Sequence, residues 1–208
     1  RKYILIMRGL IFYIIGLTLI FPRSASIAIC TEVKGGVLRQ GYVRNGHLRK
    51  GDPIYHGDKI IMKDHGFMSF MFISEKTKVN VYENSVIKVF SQTSSTQNQS
   101  NIALFGGRVI VQMEQGSDKQ FVLEAPSSIA VASNAHFISE YKNDILFDNL
   151  SYSMFTSLEG KIEIENIVSE SFMNIRGGET VISTRDGKFL QLDTFRNQMF
   201  IENTLRGN

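Results

Sequence analysis

The stretch 48-LRKGDPIYHGDKIIM-62 carries two Gly-Asp pairs, a histidine between them and basic residues around them. It admits two readings, a metal or phosphate site or two corners of a β-sheet, and the choice separates an enzyme from a scaffold. Gly supplies the positive φ of a tight turn, and Asp can hydrogen-bond the backbone two residues on. Pro53 holds the next φ near about −65°. Gly51, Asp52, Gly57 and Asp58 are therefore expected to hold turns. Ile54, Ile60 and Met62 share even parity and are expected on one face, with Tyr55 and His56 marking the crossing between corners.

From Thr31 onward the pattern around this stretch has period two. "MSFMFI" (68–73), "KVNVYE" (78–83), "VIKVF" (86–90), "RVIVQME" (108–114), "KQFVLEA" (119–125), "KIEIENI" (161–167) and "KFLQLD" (188–193) alternate apolar with polar residues or are dense in β-branched and aromatic ones. Alternation sends one set of side chains to a core and the other to water, as in antiparallel strands. Glycine pairs at 35–36, 106–107 and 177–178, with Asn45-Gly46, Glu159-Gly160 and Asp186-Gly187, read as turns between these strands. The expected class is all-β, an antiparallel sandwich or a short β-roll or solenoid of many short strands. "MSFMFI" and "VIKVF" are expected to be the most buried. The polar run 91–101 reads as an excursion between strands or a hairpin tip. Residues 194–208 read as a tail or a short amphipathic helix with Phe195, Met199 and either Phe200 or Ile201 facing the domain.

The front is different in kind. A basic start, the apolar run 9–21 and the small residues after it have the layout of a secretory signal, with Ala28 at the cleavage point. Thirteen helical residues rise about 20 Å, short of a ~30 Å hydrocarbon core. Counting back to Tyr3, with Arg8 reaching the headgroups, gives a membrane anchor as the alternative. The expected organisation is a signal or anchor helix over 1–28, a β domain over 29–193 and the tail over 194–208. Met7 is a candidate start. Cys30, the sole cysteine, is a lipidation candidate by its position behind the run, although Ile29 is bulky for such processing.

The formal charge of +3 comes from the front, where Arg1, Lys2, Arg8 and Arg23 meet no acidic residue. The remainder is near balance, so the basic pI does not call for nucleic acid. His47, His56 and His65 fall at equal intervals and could gather with Asp52, Asp58 and Asp64, but no H-x-H or H-E-x-x-H spacing is present. There is no G-x-S-x-G elbow and no Walker or dinucleotide glycine pattern. Glu140, Asp144 and Asp148 are candidate paired carboxylates, yet the chain has no tryptophan for a sugar platform. Arg176-Gly177-Gly178 reads as a hairpin corner. No catalytic residue, metal or cofactor is expected, and the chain reads as a non-enzyme.

From Glu32 to about Asp193 the chain resembles the FecR domain, the β-rich module of the iron-citrate regulator and of many exported envelope proteins. "EVKGGVLRQG" matches the family's opening glycine turn, and "GDPIYHGDKI" its G-D-x-I-x-x-G-D-x-I pair of corners. "VNVYENSVIKVF" matches the Asn-Ser segment through Asn84 and Ser85. "ALFGGRVIVQME", "SLEGKIEIEN" and "MNIRGGETVI" follow in the family's order. "FVLEAPSSIAVASNAHFIS" departs from the family's Arg-Gly-Thr-Glu segment and keeps only Val131 and Phe137 in register. The resemblance implies an exported module of periplasm or cell envelope, held to the membrane only through its front. The implied role is non-catalytic binding or signal sensing with an envelope protein partner. Val131, Ser133, Asn134, His136 and Phe137 are candidate contacts. Tyr42, Tyr55, Tyr82, Tyr141 and Phe147 are further aromatic candidates that strand packing explains as well. With at most eight residues before the apolar run, the cytoplasmic anti-sigma segment is expected to be absent. The alternatives are a self-associating structural subunit of the envelope, or a truncated anti-sigma regulator of an iron-uptake type system.

Overall fold

The computed structural model describes residues 25–93, 98–116, 119–143 and 151–206. They form β1 (Ser26–Lys34), β2 (Val37–Gln40), β3 (Gly46–His47), β4 (Pro53–Tyr55), β5 (Lys59–Met62), β6 (Phe67–Phe72), β7 (Lys78–Val81), β8 (Val86–Thr93), β9 (Asn98–Gln112), β10 (Gln120–Ala125), β11 (Ser128–Lys142), β12 (Tyr152–Asn166), β13 (Ser171–Arg176), β14 (Thr180–Thr184), β15 (Phe189–Gln191) and one helix, α1 (Thr194–Arg206). All the strands belong to one hydrogen-bonded sheet, and the pairings fold it into two layers. Layer A runs β3, β2, β5, β8, the first half of β9, β10, the first half of β11, the second half of β12 and β13. Layer B runs β4, β1, β6, β7, the second half of β9, the second half of β11, the first half of β12, β14 and β15.

Alternation puts one apolar face of each layer against the other. Ile60, Ile87, Val89, Ile102, Leu104, Leu123, Ile162 and Ile164 of layer A are buried together with Met68, Phe70, Phe72, Val79, Val111, Phe137 and Phe155 of layer B. A row of rings crosses between the layers: Phe70 to Phe72 at 5.5 Å, Phe72 to Phe121 at 6.0 Å and Phe121 to Phe137 at 6.2 Å. Each such side chain stabilises the fold by roughly 1.5–3 kcal/mol through burial.

The strands change layer at bends, and the bends lie along two opposite edges. In the N-terminal half Gly35, His65, Asn84 and Gly107 stand at the bends, all with positive φ. They abut one another: Gly35 lies against the His65 carbonyl and Gly107 against Ser85. In the C-terminal half the bends are at Asn134, Gly160 and Gly178. They lie on the other edge because β11 runs antiparallel to β9, with Tyr141 opposite Gly107 and His136 opposite Gln112. β10 mediates the change of edge, pairing in parallel with β9, whereas every other described strand pair is antiparallel. Gly106-Gly107 and Glu159-Gly160 are thus not turns between strands, as expected, but bends inside the 15-residue strands β9 and β12. Positive φ serves a hairpin and a bulge alike, and the alternation on either side is the same in both.

Each half has an open edge closed by polar groups. In the first half the buried Ser100 hydroxyl donates to the Glu75 carboxylate, and Lys119 Nζ donates to the Ser74 carbonyl at 2.6 Å. In the second, Ser127 and Ser153 hydroxyls meet at 3.1 Å, and Asn166 Nδ2 donates to Ser183 Oγ at 2.8 Å and to the Thr184 carbonyl at 2.9 Å.

Three further expectations change. β6 and β8 do bury Met68, Phe70, Phe72, Ile87 and Val89, but β12 is buried on both faces from Ser153 to Ser157, a feature that its serines and threonine conceal. α1 forms, with the Arg196 N–H donating to Asp193 Oδ1 at 2.9 Å as an N-cap. Its inward residues are Asn197 and Thr204, while Phe195 and Met199 are 71% and 50% exposed. Asn197 wins the inner face because it accepts from the Thr180 hydroxyl and donates to the Gly178 carbonyl. Finally, β1 begins at Ser26, ahead of the expected domain start at Ile29. No helix among the described residues is long and apolar enough to cross a membrane, and the apolar run 9–21 lies outside those residues, as do residues 94–97 of the polar run 91–101, whose two ends continue β8 and β9 with Ser100 and Asn101 buried.

Candidate functional site

Both Gly-Asp corners are turns. Asp52 Oδ2 accepts the Arg49 N–H at 2.8 Å, and Asp58 Oδ2 accepts the Tyr55 N–H at 2.9 Å. The carboxylates therefore reach three residues back, not two forward as the sequence suggested. Ile54, Ile60 and Met62 are all buried, as their parity requires. Asp58 itself is buried, and its second oxygen has no hydrogen-bond partner among the described residues. Burial pushes its carboxyl above the usual range, against the opposing pull of the Tyr55 N–H and of Arg39. Arg39, also buried, crosses the core to donate from Nη1 to the Pro53 carbonyl at 2.8 Å. The family signature at Asn84 and Ser85 holds a bend: Asn84 has φ 57°, and Ser85 Oγ accepts the Arg108 N–H at 2.9 Å.

The three histidines do not converge. His47 is exposed in β3, His56 hydrogen-bonds with Ser91, and His65 lies 3.6 Å from Glu83. Among the described residues no three His, Cys, Asp or Glu side chains are placed to hold a metal ion. Glu140 pairs with Arg108 at 3.3 Å, and Asp144, Asp148 and Phe147 lie outside the described residues.

The segment 131–137 is the bend of β11, not a flat patch. Phe137 is fully buried in the ring row, Val131 and His136 are half-buried, Ser133 is exposed, and Asn134 takes φ 49° against Gly160. Ala28 and Cys30 are both buried inside β1, opposite Phe72 and Phe70. Cleavage after Ala28 would remove the start of that strand, and a lipid on Cys30 does not fit a sulfur enclosed in the core. Burial pushes the Cys30 thiol up to about 11, so it is a poor nucleophile at neutral pH.

Of the aromatic candidates, Tyr141 is buried and Tyr82 packs on Phe67 at 5.5 Å, whereas Tyr42 is 99% exposed. It overlooks an open cleft of about 370 Å³ on the outer face of layer A, with Lys59, Lys88 and Phe105. A second open cleft, about 530 Å³, lies on the outer face of layer B around Lys34, Phe67 and Tyr82. Neither was found from sequence, because the residues of each come from separate strands and meet only once register is known.

No family model matches the chain, and no curated protein matches it. Solved structures do. The fold resembles that of a candidate anti-sigma factor. That protein, from Parabacteroides distasonis ATCC 8503, superposes with a TM-score of 0.51 at 16% identity over 65% of this chain and 59% of its own. A second crystal structure of an anti-sigma candidate from the same organism gives 0.52 at the same identity and coverage. This chain therefore spans about three fifths of the length of the proteins it matches, and at this identity the likeness is one of fold.

Proposed function

We propose that the chain is the FecR-like sensory β-domain of an anti-sigma-type regulator, a non-catalytic binding module beyond the cytoplasmic membrane whose occupancy is passed to the membrane segment ahead of it. The observation that carries this reading is the place of β1. Four residues separate the apolar run from Ser26, and β1 is an interior strand, paired with β4 on one side and β6 on the other. A domain joined to its anchor through an interior strand passes on a displacement of the sheet, as a loose linker does not. The fold shared with the candidate anti-sigma factor supports the same reading.

The test uses the gene with its native upstream DNA. The full product, purified in detergent from its own membranes, is expected to carry an RNA polymerase sigma subunit. A phosphatase active only after export, fused behind Arg206, is expected to be active. A product that starts near Met7 and binds no sigma subunit overturns the anti-sigma reading, and a silent fusion overturns export. Self-association is the second reading, supported by β13. This six-residue strand has β12 as its one described neighbour and exposes 61% of Phe172. A monomer at every concentration in sedimentation would remove it.

A further inference from the structure

In the layer A cleft like charges face one another across strands, as they also do at Lys161 and Arg176 on β12 and β13, which line neither of the two clefts. Gln40, Lys59 and Lys88 stand directly opposite one another on β2, β5 and β8, all on the outer face. Like charges facing each other across an antiparallel pair are destabilising. Neither lysine forms an ion pair among the described residues, which is true also of Lys63, Lys78 and Lys161. Lys88 lies instead over the Phe90 ring, 5.1 Å from its centre. Tyr42 and Phe105, 99% and 51% exposed, line the same cleft as the two lysines. A local rule broken at a concave, aromatic-rimmed place is the expected mark of a site for something absent.

We infer that this cleft binds a saccharide carrying a carboxylate or phosphate group, with Lys59 and Lys88 on the anion, the Gln40 amide on a ring hydroxyl, and Tyr42 and Phe105 against the ring. Three observations choose this occupant. An extended peptide has no edge to join, because β2, β5 and β8 each have a neighbour on both sides in layer A. A long polyanion laid along the row would pass Ala103 and meet Glu124 and then Glu165, which continue the same cross-strand register with negative charge. The volume, about 370 Å³, lies at the small end of the usual range for small-molecule sites. A single charged ring satisfies all three, and the assignment does not depend on the anti-sigma reading.

The test is calorimetric titration of the full chain in detergent micelles with galacturonic acid, glucose 6-phosphate, glucose and inorganic phosphate. One or both anionic sugars are expected to bind, more weakly as salt is added, and glucose is not. Lys59→Gln and Lys88→Gln are each expected to lose about tenfold in affinity, and Tyr42→Ala to lose affinity for the sugars but not for inorganic phosphate. Without ligand, either lysine variant is expected to melt at a higher temperature than the parent, since the repulsion is gone, which also shows that the variant folds. The inference is overturned if the double lysine variant binds the sugars unchanged, or if a poly-glutamate peptide binds more tightly than they do. It is equally overturned if inorganic phosphate binds as tightly as the sugars, an adventitious ion only.

Discussion

The two halves of the sandwich solve one problem at opposite edges and with different materials. Each must fold a ribbon of antiparallel strands over on itself, so each needs a bend at the same level in every strand and a closure on the open side. The N-terminal half bends mostly between short strands, through Gly35, His65 and Asn84, and closes with a buried carboxylate. The C-terminal half bends within long strands, at Asn134 and Gly160, and closes with neutral Ser and Asn side chains. The lesson is that the bends carry the architecture, and that their requirement is close approach as well as positive φ. A Cβ on Gly160 would stand 2.5 Å from the Asn134 carbonyl oxygen, and one on Gly107 2.5 Å from Ser85 Cα. Gly160→Ala and Gly107→Ala are each expected to cost about 3 kcal/mol or more in chemical denaturation. Gly57, with φ 83° but open space around it, supplies the control: Gly57→Ala is expected to cost about 1 kcal/mol. Equal losses at Gly57 and Gly160 would reduce the bends to a matter of φ alone.

The closures should differ next. Asn166 donates to Ser183 and Thr184 and accepts the Val168 N–H at 3.0 Å and the Ser169 N–H at 3.2 Å, so its loss strands donors and acceptors together. Asn166→Ala is expected to cost about 2–3 kcal/mol, and Ser100→Ala, which removes one hydroxyl from Glu75, about 1–2 kcal/mol. Amide exchange should show the first opening the β12–β14 side and the second the start of β9. A Ser100→Ala loss above that of Asn166→Ala would mean that the carboxylate closure is the stronger of the two.

What could be read from the sequence follows the same division. The Gly-Asp corners and the alternating faces were readable because a turn and a strand face are local: Ile54, Ile60 and Met62 meet their prediction without any knowledge of partners. The bends at Gly107 and Gly160 were visible as glycines but not as bends, since only pairing tells a bulge from a hairpin. The buried face of β12 was hidden because Ser153, Thr156 and Ser157 look like solvent-facing residues until their partners arrive. Phe195 and Met199 misled for the converse reason, the inner face of α1 being taken by Asn197 through hydrogen bonds to Gly178 and Thr180. The facing of Lys59 and Lys88 depends on register alone.

Titration gives the halves opposite signs. In the first half, burial raises the Asp58 carboxyl above its unfolded value near 3.8. The folded state therefore binds the proton more tightly than the unfolded chain. That stabilisation is fully present below 3.8 and is lost as pH rises through the raised folded value. Asp58→Asn keeps an acceptor for the Tyr55 N–H and is expected to abolish this loss. Asp58→Ala removes the acceptor and is expected to cost about 1–2 kcal/mol at every pH. Denaturation midpoints of the three proteins from pH 3 to pH 7 check this, and a parent whose stability rises steadily across that range, with the Asn variant unchanged in slope, would refute the buried-carboxyl account.

In the second half the sign reverses at His136. Half-burial at the β11 bend lowers its imidazole below the usual 6.5, with Glu159 pulling weakly the other way. The folded state resists the proton that the unfolded chain accepts, so the stability contributed by neutral His136 is present above 6.5 and lost as pH falls through the lowered folded value. The effect is the smallest of the four because the ring is partly open to water, which screens its charge. His136→Gln is expected to remove the loss on mild acidification and to leave stability above pH 7 nearly unchanged. Glu159→Gln should make the loss steeper by withdrawing the favourable partner. An NMR titration of the His136 ring gives the direct reading: a midpoint above 6.5 would place Glu159 ahead of burial and turn the acid loss of the C-terminal half into a gain.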